Sequence, residues 1–264
     1  MGAPRKRFGQ HFLHDSSVIA RTLDAIDPQP GERLVEIGPG RGALTRALLE
    51  RIDRLQAIEI DRDLAAELRT RFDPQRLEVL EADVLDMNFT TLRGAAAPLR
   101  VVGNLPYNIS TPLLFHLLEH RAAIRDMHFM LQKEVVERMA ARPGSKAYGR
   151  LTVMLAPWVQ VESLFHVGAG SFRPPPKVES AVVRLIPSQG ARFDIGEPRR
   201  FEQVVRAAFA QRRKTLRNAL NGLVDEAGLR AAGIDPGDRA ERLAPEQFGH
   251  LALQAARSIP LPVP

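Results

Sequence analysis

Glu36-Ile37-Gly38-Pro39-Gly40-Arg41-Gly42 is the stretch on which the fold of this 264-residue chain turns. It follows an apolar run, Arg33 to Gly38, that reads as a strand, and it opens an amphipathic segment, Gly42 to Arg51, that reads as a helix. Glycines between a strand and a helix let the backbone approach a ligand closely, and the helix start offers free N–H groups. A strand, a glycine turn and a helix in that order predict a nucleotide-like ligand in the crevice at the strand's carboxyl end. Gly38, Gly40 and Ala43 also satisfy a dinucleotide fingerprint, so the motif alone leaves NAD and S-adenosylmethionine both open.

The same alternation continues outward. Leu55 to Ile60 reads as a second strand and Asp63 to Phe72 as a helix capped by Asp61. Leu77 to Glu81 and Leu99 to Gly103 read as the third and fourth strands. Pro112 to Glu119 is helical, Met127 to Leu131 a fifth strand, and Lys133 to Ala140 a helix. Trp158 to Val167 and Val178 to Ile186 read as closing strands. Strands alternating with helices predict a doubly wound, mostly parallel α/β sheet. After Pro187 the pattern changes. Ser188 to Pro198, with two glycines and a closing proline, reads as a linker, and the apolar spacing from Phe201 to Leu223 is helical throughout. The expected domains are therefore 1–187 and a small all-helical 198–264.

Composition narrows the partner. The net charge is +6, and residues 199–217 set Arg199, Arg200, Arg206, Arg212, Arg213, Lys214 and Arg217 against one acid, Glu202. A local basic excess favours a polyanion, and Arg206, Arg212, Arg213, Lys214 and Arg217 are the candidate RNA contacts, joined by Arg5-Lys6-Arg7 at the start of the chain. If 206–217 is one helix, Arg206, Arg213 and Arg217 share a face, because steps of seven and four residues return near the same angle. The chain has no cysteine, which excludes disulfides and thiolate chemistry, and its seven histidines show no metal-ligand spacing, so no metal is expected. No apolar run approaches the roughly 18 residues of a membrane span, and the basic start leads into polar residues rather than a signal core. The expectation is a cytoplasmic monomer.

Strand ends supply the candidate chemistry. Glu59, 21 residues after Gly38, ends the second strand, where a carboxylate accepts the hydroxyls of a ribose; Asp61 is its competitor. Asp83, just after the third strand, can accept an adenine amino group. Gly103-Asn104-Leu105-Pro106-Tyr107-Asn108-Ile109-Ser110 ends the fourth. The Asn104 amide oxygen and the Leu105 or Pro106 carbonyl can accept both hydrogens of an exocyclic amine while Tyr107 stacks on the ring. Two acceptors favour the pyramidal amine and free its lone pair for in-line attack on a methyl donor. An NAD oxidoreductase leaves these residues without a purpose.

At these residues the chain resembles the ribosomal RNA adenine dimethyltransferases over nearly its full length. Gln10-His11-Phe12-Leu13 looks like the family's N-terminal motif, with His11 where Asn is frequent; Glu36 to Gly42, Glu59, Asp83 and Asn104 to Tyr107 match in order. Gly170 to Val178 matches a loop whose aromatic residue, here Phe172, would sandwich the target base. Phe209 to Asn218 looks like the signature of the small-subunit enzymes. The resemblance implies a Rossmann-like seven-stranded methyltransferase core, with S-adenosylmethionine contacted by His11, Leu13, Gly38, Gly40, Glu59, Asp83 and Asn104. It implies dimethylation of two adjacent adenosines near the 3′ end of 16S rRNA in the small ribosomal subunit or its precursor. Methylation of 23S rRNA, a DNA adenine methyltransferase and a mainly structural assembly checkpoint are the rivals.

Overall fold

The computed structural model describes residues 11–258. Its elements run in the order β1 (Phe12–Leu13), α1 (Ser16–Ile26), β2 (Leu34–Ile37), α2 (Ala43–Leu49), β3 (Leu55–Glu59), α3 (Arg62–Arg71), β4 (Leu77–Glu81), α4 (Phe89–Arg93), β5 (Leu99–Asn104), α5 (Ser110–Glu119), β6 (Ile124–Gln132), α6 (Lys133–Met139), α7 (Arg150–Leu155), β7 (Val159–Val167), β8 (Phe172–Arg173), β9 (Ser180–Pro187), α8 (Pro198–Ala210), α9 (Leu216–Ala219), α10 (Glu226–Ala231) and α11 (Pro245–Ser258). Seven strands form one sheet in the order β4-β3-β2-β5-β6-β9-β7, and β1 pairs with β8 in a separate two-stranded ladder. The pairings from β4 through β6 are parallel; β9 runs antiparallel to β6. Every residue of β2 is buried, as a central parallel strand covered on both faces requires.

Local signals fix the helix starts. Asp15 caps α1 by accepting from the N–H groups of Ser17 and Val18, and the Ser171 hydroxyl donates to its other oxygen at 3.0 Å. The Ser17 hydroxyl, which donates at 2.8 Å, and the Ser171 hydroxyl, with these N–H groups, hold the Asp15 carboxyl below its ordinary range. Asp61 caps α3 through Asp63 N–H, as its place before the apolar period predicts. The first cluster of the sheet core joins Leu34, Leu48, Leu55, Leu68 and Val102. At the amino edge of the sheet the buried Arg100 guanidinium donates to Asp126 at 2.9 Å, to Glu32 at 2.6 Å and to the carbonyls of Ile26 and Asp27, so β5 is tied to β6 and to the end of α1.

Two expectations are corrected. The chain divides into unit 1, residues 1–136 and 161–187, and unit 2, residues 137–160 and 188–264, so 137–160 belongs with the helical residues and not with 1–187. The reason is apolar: Tyr148 and Val153 are buried among Phe201, Val204, Leu220 and Phe248, and the Tyr148 hydroxyl donates to Leu243 O at 2.7 Å. The stretch read as a linker is packed as well, with Ile195 buried in that core and Phe193 edge-on to Phe201. Second, residues 206–217 are not one helix. α8 stops at Ala210 and α9 starts at Leu216, so the helical phase that was to align Arg206 with Arg213 and Arg217 is interrupted.

Gly103 of β5 leaves no room for a side chain against β2. A Cβ there would lie 2.4 Å from the Ile37 carbonyl oxygen of β2. Gly103→Ala must push β2 and β5 apart, and we expect about 1–3 kcal/mol of destabilisation in urea unfolding. A variant as stable as the parent would show that the two strands separate freely.

Glu36 is buried in β2, accepts from the Thr45 hydroxyl of α2 at 2.6 Å, and has its pKa pushed up by burial to about 7 from an ordinary 4.5, with Glu59 adding repulsion. Between those values the folded chain holds a proton that the unfolded chain releases, so this group makes stability fall as pH rises from 4.5 to 7 and leaves a constant penalty above. Glu36→Gln should remove that slope and stabilise the protein at pH 8 by up to roughly 3 kcal/mol. Denaturant titrations at a series of pH values read both effects; an unchanged slope would mean Glu36 stays ionised in the fold.

Candidate active site

The crevice lies where the carboxyl ends of β2, β3, β4 and β5 meet, within unit 1. Gly38, Gly40 and Gly42 all have positive φ, +65°, +56° and +73°, which only glycine adopts without strain. The loop they form curls back so that Gly40 N–H donates to Glu59 at 3.1 Å, and the other Glu59 oxygen accepts from Asp61 N–H at 3.0 Å. Glu59 is thus an aimed carboxylate, not a loose one. Burial raises its pKa, and each oxygen keeps acceptor capacity toward the cleft. Asp61 is used as a helix cap, which removes it as the rival.

Asp83 and Asn104 complete the strand ends. One Asp83 oxygen accepts from Leu85 N–H at 2.9 Å, capping a single turn over 84–86, and the residue lines the cleft. The Asn104 amide nitrogen donates to the His11 carbonyl at 3.0 Å. That bond sets which way the amide faces and leaves its oxygen as the acceptor. The Pro106 carbonyl is taken up by Ile109 N–H at 3.2 Å, so of the two carbonyl acceptors expected next to Asn104, Leu105 is the better placed.

The N-terminal segment closes one side of the cleft. His11 Nδ1 donates to Pro174 O at 2.7 Å and the His11 ring stacks on Tyr107, centroids 5.9 Å apart. Phe12 lies against Gly40, where a Cβ would come within 3.1 Å of its ring, and the Arg41 guanidinium sits 4.7 Å from the centre of the same ring. Leu13 is buried and lines the cleft from behind. Phe12, Arg41 and Glu36 also line the cleft; they stand inside the quoted motifs, but the sequence assigned them no contact of their own. His11, Leu13, Gly38, Gly40, Glu59, Asp83, Asn104, Leu105, Pro106 and Tyr107 all come together here.

Phe172 does not. It is 2% exposed, pairs across the ladder with Leu13, and packs among Val18, Met130, Val167 and Val182. Burying a phenylalanine contributes on the order of 2–3 kcal/mol, and that role leaves no free face for a base. The ring that covers Tyr107 in this structure is His11.

The basic candidates divide. Arg5, Lys6 and Arg7 lie outside the described residues. Arg206, Arg212, Arg213, Lys214 and Arg217 are all exposed in unit 2. Arg212 pairs with Glu241 and donates to the Lys146 carbonyl, and Arg217 pairs with Glu226. Among the described residues no helix is long and apolar enough to cross a membrane, and no group of three or more acidic, histidine or cysteine side chains is placed to hold a metal.

The residues fit S-adenosylmethionine. Bare backbone at Gly38 and Gly40, a fixed carboxylate at Glu59 and a second at Asp83 line one continuous edge, which suits a nucleoside carrying a compact charged tail. Residues 2–257 match the model of a protein family described as ribosomal RNA adenine dimethylase. The chain is 53% identical to the ribosomal RNA small subunit methyltransferase A of Aromatoleum aromaticum, over 97% of each protein. It is 55% identical to that of Xanthomonas campestris pv. campestris, over 94% of this chain and 95% of the relative. Two similar crystal structures are those of the 23S rRNA methyltransferase ErmE, with TM-score 0.72, 30% identity and coverage of 92% and 99%, and of a dimethyladenosine transferase from Plasmodium falciparum, with TM-score 0.76, 27% identity and coverage of 94% and 98%. A Rossmann-like cleft with an aimed amide at its rim, and relatives matching from end to end, make this chain a member of the ribosomal RNA adenine dimethylase family of S-adenosylmethionine-dependent methyltransferases.

Proposed function

We propose that the chain dimethylates N6 of two adjacent adenosines near the 3′ end of 16S rRNA, acting in the cytoplasm as a monomer on the small ribosomal subunit or its precursor, and that docking there also makes it an assembly factor. The observation that carries the chemistry is the Asn104 amide, turned by its bond to the His11 carbonyl so that its oxygen faces outward as an acceptor. The choice of rRNA rests on likeness. Relatives named for the small subunit share 53–55% of residues, whereas the 23S enzyme shares 30%.

S-adenosylmethionine supplies a methyl group on a sulfonium, whose carbon–sulfur bond breaks with its electron pair left on sulfur. Glu59 would hold the ribose, Asp83 the adenine amine, and the Gly38–Gly40 backbone would lie along the tail. Asn104 Oδ1 and the Leu105 carbonyl accept from the target amine, which turns its lone pair out of conjugation and toward the methyl carbon. Tyr107 offers its face to the base. The proton displaced from nitrogen passes to solvent, since no strong base is needed for an amine that becomes cationic as it bonds. On unit 2, Arg206, Arg213 and Lys214 are the side chains best free to meet phosphate, because Arg212 and Arg217 are engaged in ion pairs.

Asn104→Ala should lower methyl transfer by about 10²-fold or more, as expected for loss of one preorganised hydrogen-bonding group, while affinity for immature small subunits stays near the parent's. Labelled-cofactor turnover and subunit titration measure the two; near-normal turnover would end the catalytic assignment. Replacing Arg213 and Lys214 by Ala should do the reverse, weakening subunit binding and flattening its salt slope by about 0.7–0.9 per lost phosphate contact. Parental affinity and slope in that variant would return the basic run to a solvated surface.

A further inference from the structure

Tyr107 is held at three points. Its phenol lies 2.8 Å from the Ser180 hydroxyl, its carbonyl accepts from the Ser110 hydroxyl at 3.0 Å, and its ring stacks on His11. Ser180 is the anchor that cannot yield. It is fully buried, the first residue of β9, and in register with Gln132 of β6, so its hydroxyl is carried by the sheet itself and not by a loop. Ser110 is also buried, at the start of α5. Burial raises the pKa of the Tyr107 phenol, in keeping with a hydroxyl held inside the protein.

The two methylations ask different things of this clamp. The unmodified adenine amine has two N–H groups for the two acceptors, Asn104 Oδ1 and the Leu105 carbonyl. Each round forms one N–C bond, breaks the donor's C–S bond with the pair kept by sulfur, and releases one amine proton. The monomethylated amine therefore returns with a single N–H, and one acceptor must go without. Orientation in the second round then leans on ring stacking, and stacking demands that the Tyr107 plane stay still.

We propose that Ser180 is a positioning residue that holds the Tyr107 ring in place and thereby secures the second methylation more than the first. The proposal rests on the reading that the chain dimethylates adenine. A serine in a strand 73 residues from the tyrosine carries no motif of its own, and only the fold brings the two hydroxyls together.

The test follows mono- and dimethyladenosine by mass spectrometry as purified full-length protein acts on immature small subunits with S-adenosylmethionine. For Ser180→Ala the first methylation should stay within a few-fold of the parent. The second should slow by about tenfold, the worth of one hydrogen bond, so that monomethyladenosine accumulates. Tyr107→Phe removes the same bond from its other end and should give the same product ratio, and the double variant should be no worse than either single one. Should Ser180→Ala lose its fold in a thermal scan, Tyr107→Phe alone decides, because the half-buried phenol can be deleted without emptying the core. A parental product ratio in Tyr107→Phe, or additive losses in the double variant, would overturn the proposal while leaving dimethylation intact. A parent protein that forms no methyladenosine at all would overturn both readings.

Discussion

A parallel sheet leaves a usable crevice only where its strand order reverses, and here that place is the seam between β2 and β5. From β2 the chain winds outward through β3 to β4, then returns to lay β5 on the opposite side. The helices that follow β2 and β5 therefore diverge, and their loops cannot cover the strand ends between them. Everything chemical in the molecule is arranged along that gap. The glycine loop follows β2, Glu59 ends β3, Asp83 follows β4, and Asn104 ends β5. The seam itself is narrow enough that Gly103 has no room for a methyl group. Backbone proximity, not a side-chain contact, sets the distance between the glycine loop and the amide.

The elements along this seam were legible because parallel strands buried on both faces must be written as short apolar runs. Leu77 to Glu81 is a strand to the residue, and the other strands of the parallel set shift by no more than a few residues at their ends. Polar residues at strand ends stood out as well, although Asp61 and Asp83 there also serve as caps. What stayed hidden has a common cause. Phe172 looks the same in sequence whether its ring faces a ligand or a core, and only the ladder between β1 and β8 decides it. A ladder of two residues has no period. Helix α1 was passed over too, although Asp15 stood ready as its cap and Val18, Thr22 and Ile26 repeat at helical spacing on its buried side.

The basic run shows a second kind of limit. Counting charge located an exposed cationic surface correctly, yet charge counting cannot tell a cation waiting for phosphate from one already paired. Arg212 and Arg217 find Glu241 and Glu226, which lie 29 and 9 residues further along the chain. Exposed pairs of this kind are worth little in stability, about 0–1 kcal/mol. Their effect is to restrain two arginines against the protein's own surface, so the density of available charge is lower than the sequence suggests.

The helical unit is discontinuous in the chain, since residues 137–160 belong to it while 161–187 belong to the sheet. This bears on how the two units could have been combined or could be separated. A domain appended at a terminus can be trimmed away by one cut, but this one cannot. Ending the chain at Pro187 would take away Phe201, Val204, Leu220 and Phe248 and leave Tyr148 and Val153 as an apolar stripe with nothing to cover it. Such a fragment would carry a sticky face of its own making. A sheet domain isolated from this protein would need the 137–160 excursion replaced by a short polar connection.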